Sequence, residues 1–129
     1  MNSVLTDLLT NLGVDSVDNM DLGEAYEIDM SETAFLDLHV EKVRPGRLSI
    51  AHYYEQNGDL CSDPDVVFKP VDGRFVPVEL TQQTAFGEKY RTDPNGLAGV
   101  NQLLERWGTN LRNQGHVEAA KDVDGQLGA

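Results

Sequence analysis

The chemically densest stretch of the sequence runs from His52 to Asp65 and sets one imidazole beside Glu55, Asn57, Asp59, Asp63 and Asp65. Hard cations take several oxygen ligands from a flexible loop, which suits Asn57 with Asp59, Asp63 and Asp65; a transition metal would prefer His52 with Glu55. A metal-assisted hydrolase built on this loop would hold a divalent cation on Asp59, Asp63 and Asp65 and take its base from His52 or Glu55. The spacing matches neither the EF-hand order nor the second histidine of a zinc helix. A simpler reading of the same residues is structural: Asn57-Gly58-Asp59 turns the chain, Asp63 orders the loop before Pro64, and the carboxylates face solvent. His52 falls in phase with Leu48 and Ile50, which favours a partly buried, hydrogen-bonded imidazole over a ligand. Tyr53 and Tyr54 point to opposite faces, so one of them is free to wall a binding surface. The expected binding or functional loop therefore comprises His52, Tyr53, Glu55, Asn57, Asp59, Asp63 and Asp65. No catalytic residue is assigned, and no cofactor beyond a divalent cation is indicated.

Other chemistry-bearing residues point to less. Cys61 is the single cysteine; a catalytic thiol needs a positioned histidine or a helix N-terminus, and closeness to His52 along a loop supplies neither. Gly87, Gly96 and Gly99 lack the strand, the spacing and the Lys-Ser/Thr pair of nucleotide-binding loops. Trp107 continues an apolar stripe and reads as core, while Arg106 and Arg112 lie off that stripe and read as solvated.

The elements that must position the loop follow from periodicity. Val4, Leu5, Leu8, Leu9 and Leu12 have helical spacing, with Ser3 as N-cap and Gly13 at the end. Residues 14–23 read as a connecting loop carrying solvated charge. From Tyr26 the period is two: Tyr26, Ile28 and Met30, then Leu36, Leu38 and Val40, then Leu48, Ile50, His52 and Tyr54, with turns at 31–33 and 44–47. Val66, Phe68 and Pro70 continue the sheet, Asp72-Gly73 marks a hairpin, and Val76, Val78 and Leu80 follow, with Pro77 at an edge or bulge. A sixth strand lies around 88–91. Asp93 and Pro94 open a helix carrying Leu97, Val100, Leu103, Leu104, Trp107 and Leu111, stopped at Gly115. The fold class is α+β: an antiparallel meander of about five to six strands flanked by an N-terminal and a C-terminal helix. At 129 residues one core is expected, with the domain spanning 1–115 and a disordered tail over 116–129.

The formal net charge of −12 disfavours direct binding to nucleic acid or anionic lipid. Such acidity fits adaptation to concentrated salt, a basic partner, or an ordinary acidic cytosolic protein. The lone cysteine, the absence of a leader-like start and of any membrane-length apolar run place the chain in the cytoplasm. Oligomeric state is not indicated.

Ala51-His52-Tyr53-Tyr54-Glu55-Gln56-Asn57-Gly58-Asp59-Leu60, followed by Asp63-Pro64, resembles the signature of an uncharacterised domain family found largely in proteins of plasmids and integrative conjugative elements. The resemblance runs on through Pro77-Val78, Gln82-Gln83, Tyr90, Trp107, Asn110-Leu111 and Gln114-Gly115, covering roughly 34–115. Ser62 and Asp65 depart from the basic residue and the glutamate that flank the Asp-Pro pair in many members. The resemblance implies a mobile-element setting and carries no activity. The leading expectation is a non-catalytic accessory or protein-interaction domain. A metal-dependent hydrolase using the His52–Asp65 loop and an acidic nucleic-acid mimic are the alternatives.

Overall fold

The computed structural model describes residues 1–123, apart from the side chains of Gln56, Asp59, Leu60 and Ser62. Helix α1 (Asn2–Asn11) buries Val4, Leu5, Leu8 and Leu9 along one stripe. It begins before Ser3, with Met1 at the N-cap and no side-chain cap, so the expected Ser3 cap is not formed. Residues 14–23 do more than carry solvated charge: Val17 and Met20 are buried, and the Lys42 ammonium donates to the Met20 carbonyl at 2.8 Å. That bond lets a lysine sit in phase with core residues.

Six strands follow in an antiparallel meander of order β1-β2-β3-β4-β5-β6, within the five to six expected. They are β1 (Ala25–Ile28), β2 (Leu38–Arg44), β3 (Arg47–Gln56), β4 (Asp59–Val71), β5 (Arg74–Thr84) and β6 (Gly87–Thr92). Two turns carry the backbone signature of tight hairpins, positive φ at both central residues: Asn57 and Gly58 at 54° and 85°, Asp72 and Gly73 at 50° and 77°. The first of these corrects the expected loop after β3. β4 already begins at Asp59, so the His52–Asp65 segment is a hairpin and not a loop. Pro77 sits where the β4–β5 register shifts, as its missing N–H requires.

Register aligns side chains in rows across the sheet. Tyr26, Val40, Ile50, Val66 and Leu80 are successive partners on the inner face. Glu27, His39, Ala51, Asp65, Thr81 and Tyr90 form a row on the outer face. Helix α2 (Asn101–Asn113) covers the inner face with Leu104, Trp107 and Leu111. It starts later than Asp93-Pro94 suggests, because Asp93 instead accepts from the Asn95 N–H at 2.9 Å and the Leu97 N–H is bound to the Pro77 carbonyl at 2.8 Å. Gly96 and Gly99 have φ of 113° and 74°, which no helix accommodates.

Past Gly115 the chain stays folded. α3 (His116–Ala119) and a turn of 3₁₀ helix (Ala120–Asp122) bury His116, Val117 and Ala120 against the core. The Asn11 amide donates to the Val117 carbonyl at 2.7 Å. The expected tail is thus structured as far as Val123; the remainder of that expectation, 124–129, lies outside the described residues. The 31–33 hairpin is likewise replaced by a longer connection over 29–37, in which Leu36 is 45 % exposed and not part of a strand. Asp37 Oδ1 accepts from the Met30 N–H at 2.6 Å, and the Thr33 hydroxyl donates to the Met30 carbonyl at 2.7 Å.

Phe68 is fully buried at the centre of this core, and Phe86 is fully exposed at the β5–β6 turn. Phe68→Ala is expected to cost about 3–5 kcal/mol in urea unfolding, and Phe86→Ala to stay within about 0.5 kcal/mol of the parent.

Candidate functional site

Strand alternation divides the expected site residues between two faces of the β3–β4 hairpin. His52 points inward and is 8 % exposed. Its Nδ1 donates to the Asp37 carbonyl at 2.8 Å, and its Nε2 accepts the Trp107 indole N–H at 3.0 Å. A carbonyl can only accept and an indole can only donate, so the imidazole is neutral with its proton on Nδ1. Burial holds its pKa below the ordinary histidine range, and the neighbouring His116 adds to that, against a smaller opposing pull from the Asp37 carbonyl and Asp63. A ring with both nitrogens committed in this way is the buried, hydrogen-bonded imidazole that its phase in β3 suggests.

His116 completes the inner cluster. It is fully buried, its ring centroid lies 5.3 Å from that of His52, and its Nε2 donates to the Leu36 carbonyl at 2.8 Å. Two histidines from separate elements therefore hold successive carbonyls of the 29–37 connection. That leaves Phe35 and Leu36 side by side at the surface, 42 % and 45 % exposed. Together with Trp107, Asn110 and Gln114 they line a groove of about 300 Å³.

The outer face is organised around Asp65, whose carboxylate accepts from the Ser49 hydroxyl at 2.7 Å and from the Tyr53 hydroxyl at 3.5 Å. Burial raises the Asp65 pKa, partly offset by these two donors. Burial and the nearby Asp65 carboxylate push the Tyr53 phenol up to about 12. The Tyr53 ring meets His39 edge-on at 4.9 Å, and His39 Nε2 is 3.7 Å from Glu27. Burial raises the Glu27 carboxyl, with Asp37 contributing. Farther along, Glu79 is bound by Arg44 and by the Tyr90 hydroxyl at 2.7 Å. Ser49 donates directly to Asp65 with no imidazole between them, which is not the arrangement that activates a serine nucleophile.

The remaining expected residues do not join either cluster. Glu55 is exposed, Asn57 occupies the hairpin turn, and Asp63 is half-buried at a cis Asp63–Pro64 bond beside the register shift opposite His52. The Asp59 side chain lies outside the described residues. Among the described residues, no three His, Cys, Asp or Glu side chains gather as a metal site, and no helix is long and apolar enough to cross a membrane. Cys61 is buried, paired in register with Tyr54.

The packed hairpin, its histidine-bound connection and the closing helices all fall within one stretch of sequence. A family model described as a domain of unknown function (DUF6908) matches residues 7–117. The chain belongs to this family. The DUF6908 match is wider than the 34–115 resemblance, taking in the second half of α1 and the start of α3, His116 included. No curated protein and no solved structure matches the chain.

Two parts of this DUF6908 site escape periodicity. Leu36 shares the parity of Leu38 and Val40 and so reads as strand. His116 follows a helix-stopping glycine and so reads as tail, although Val117 and Ala120, three apart and apolar, mark a helical face.

The His52 assignment has a sign. The unfolded chain protonates this imidazole near pH 6.5 and the folded one only at lower pH, so stability is fully present above that value and lost as pH falls through the folded pKa. Unfolding measured from pH 7.5 to 5.5 should show the parent losing stability on acidification. His52→Gln, which can bridge Asp37 and Trp107 without titrating, should show a flatter profile. Trp107→Phe, which strands the His52 lone pair, should cost about 1–3 kcal/mol at pH 7.5.

Proposed function

We propose that this DUF6908 domain is a non-catalytic protein-interaction module, acting as an accessory in the cytoplasm and, following the resemblance noted above, in a mobile-element setting. The observation that carries the reading is the adjacent exposure of Phe35 and Leu36, 42 % and 45 %, on a segment held from beneath by His52 and His116. Two neighbouring apolar side chains beside a groove, on backbone already ordered, offer contact area at little conformational cost on binding. The net charge of −12 suits a partner of opposite sign.

The metal-hydrolase alternative gains little support from this geometry, since His52 is committed to Asp37 and Trp107 on one face while Asp65 is committed to Ser49 and Tyr53 on the other. The nucleic-acid mimic needs unengaged carboxylates along one face. On the outer sheet Asp65 and Glu79 are bound by their neighbours, which interrupts any such row between the exposed Glu41 and Glu88.

Affinity capture from the native host, followed by mass spectrometry, tests the reading. The parent should recover a stoichiometric protein partner, and a Phe35→Ser/Leu36→Ser variant with unchanged circular dichroism should lose at least about nine-tenths of it, a loss of more than about 1.4 kcal/mol. Phe86→Ser, exposed at the far turn, should retain it. Equal capture by all three proteins would remove the basis of the proposal.

A further inference from the structure

The groove beside Phe35 and Leu36 does not end at Gln114. A second depression of about 540 Å³ adjoins it, shares Gln114, and lies between the first half of the 29–37 connection and α3 with the turn that follows. The two halves differ in chemistry. The first offers Phe35, Leu36 and the edge of Trp107. The second is lined by Asp29, Glu32, Glu118 and Asp122, all exposed. The Ser31 hydroxyl and N–H lower the Asp29 pKa, keeping it ionised. Lys121 reaches Glu118 at 3.1 Å, and no lysine or arginine is among the residues that line either half.

We infer that this two-part groove receives a peptide segment of a partner protein in which a large apolar residue lies within a few positions of lysine or arginine. The inference rests on the interaction-module reading and specifies its ligand. The apolar residue packs against Phe35, Leu36 and Trp107. The basic residues lie over Asp29, Glu32 and Asp122. Asn110 and Gln114 stand along the same wall and carry amides able to bond a peptide backbone in either sense. Charge complementarity selects this occupant: a nucleic acid or an acidic segment would bring its negative charge onto four carboxylates, and a second copy of the chain would bring a net −12. The apolar half supplies desolvated contact, and the acidic half supplies orientation and speed of encounter.

Selection from a random peptide library displayed on phage, with the full chain immobilised, tests the assignment. The enriched peptides should pair a Phe, Leu, Trp or Met with two or more Lys or Arg residues. Because Trp107 is the single tryptophan, binding of the synthesised consensus can be followed through its fluorescence. Glu32→Lys/Asp122→Lys should weaken the consensus by about tenfold or more, and Phe35→Ser/Leu36→Ser by a similar factor. Glu41→Lys/Glu88→Lys makes the same change in net charge on the other side of the sheet and should weaken it by less than about threefold. A consensus without basic residues, or equal weakening by both charge-reversed pairs, overturns the partner class while leaving the interaction module standing. Binding indifferent to Phe35→Ser/Leu36→Ser overturns both, as does sedimentation showing that the chain alone dimerises through these two residues.

Discussion

The Trp107 indole has one hydrogen to give, and the structure directs it to the one lone pair that His52 has to offer. With that nitrogen occupied, the imidazole hydrogen must sit on the other side, where it meets the Asp37 carbonyl. The relay crosses three elements, from α2 through β3 to the 29–37 connection, and lies at the buried floor of the groove that His52 and Trp107 help to line. It fixes the rotation of α2 over the sheet as well as the height of the connection above it. His116 holds the preceding carbonyl from α3 through Nε2 alone, its buried Nδ1 having no hydrogen-bond partner among the described residues. Backbone that would otherwise need strand partners is thereby satisfied by side chains, and the connection has no need to pair.

This division explains why the two faces of the hairpin differ. On the inner face polar atoms serve to suspend a loop, and the apolar residues left over, Phe35 and Leu36, emerge beside α2. On the outer face the polar atoms satisfy one another around Asp65 and Glu79. A phenol held protonated up to about 12 and a carboxyl raised by burial are signs of a dry structural network. Raised values of this kind are equally what a proton-transfer site would show, and what separates the two here is that Asp65 is bound by Ser49 and Tyr53 while the neighbouring imidazole, His39, meets the Tyr53 ring edge-on and is turned toward Glu27.

Most of the architecture could be read from the order of side chains. Alternation of period two placed the first five strands, because in a sheet covered on one face each inward position must be apolar, and Val40, Ile50, Val66 and Leu80 meet that demand in register; β6, exposed along most of its length, carries no such alternation. Departures arise where a side chain's partner is remote in sequence. Lys42 can face inward only because Met20 comes to it. Asp93 looks like a helix cap until Leu97 is seen tied to Pro77. The position of His52 on the inner face was legible from its phase with Leu48 and Ile50. That its acceptor nitrogen belongs to Trp107, 55 residues later, was not. The connection over 29–37 was the least legible, since its order depends on Asp37, His52 and His116 rather than on any local pattern.

The Asn11 amide reaches the Val117 carbonyl across nearly the whole described chain. As the polypeptide leaves the ribosome, α1 emerges with Val4, Leu5, Leu8 and Leu9 uncovered, and the sheet can form hairpin by hairpin while one greasy side stays wet. The lid over both arrives only with Trp107, Leu111 and Val117, close to the end of the match to the family model. A nascent chain halted before that point would carry an open apolar surface, the kind of transient exposure that makes partly folded chains prone to aggregate.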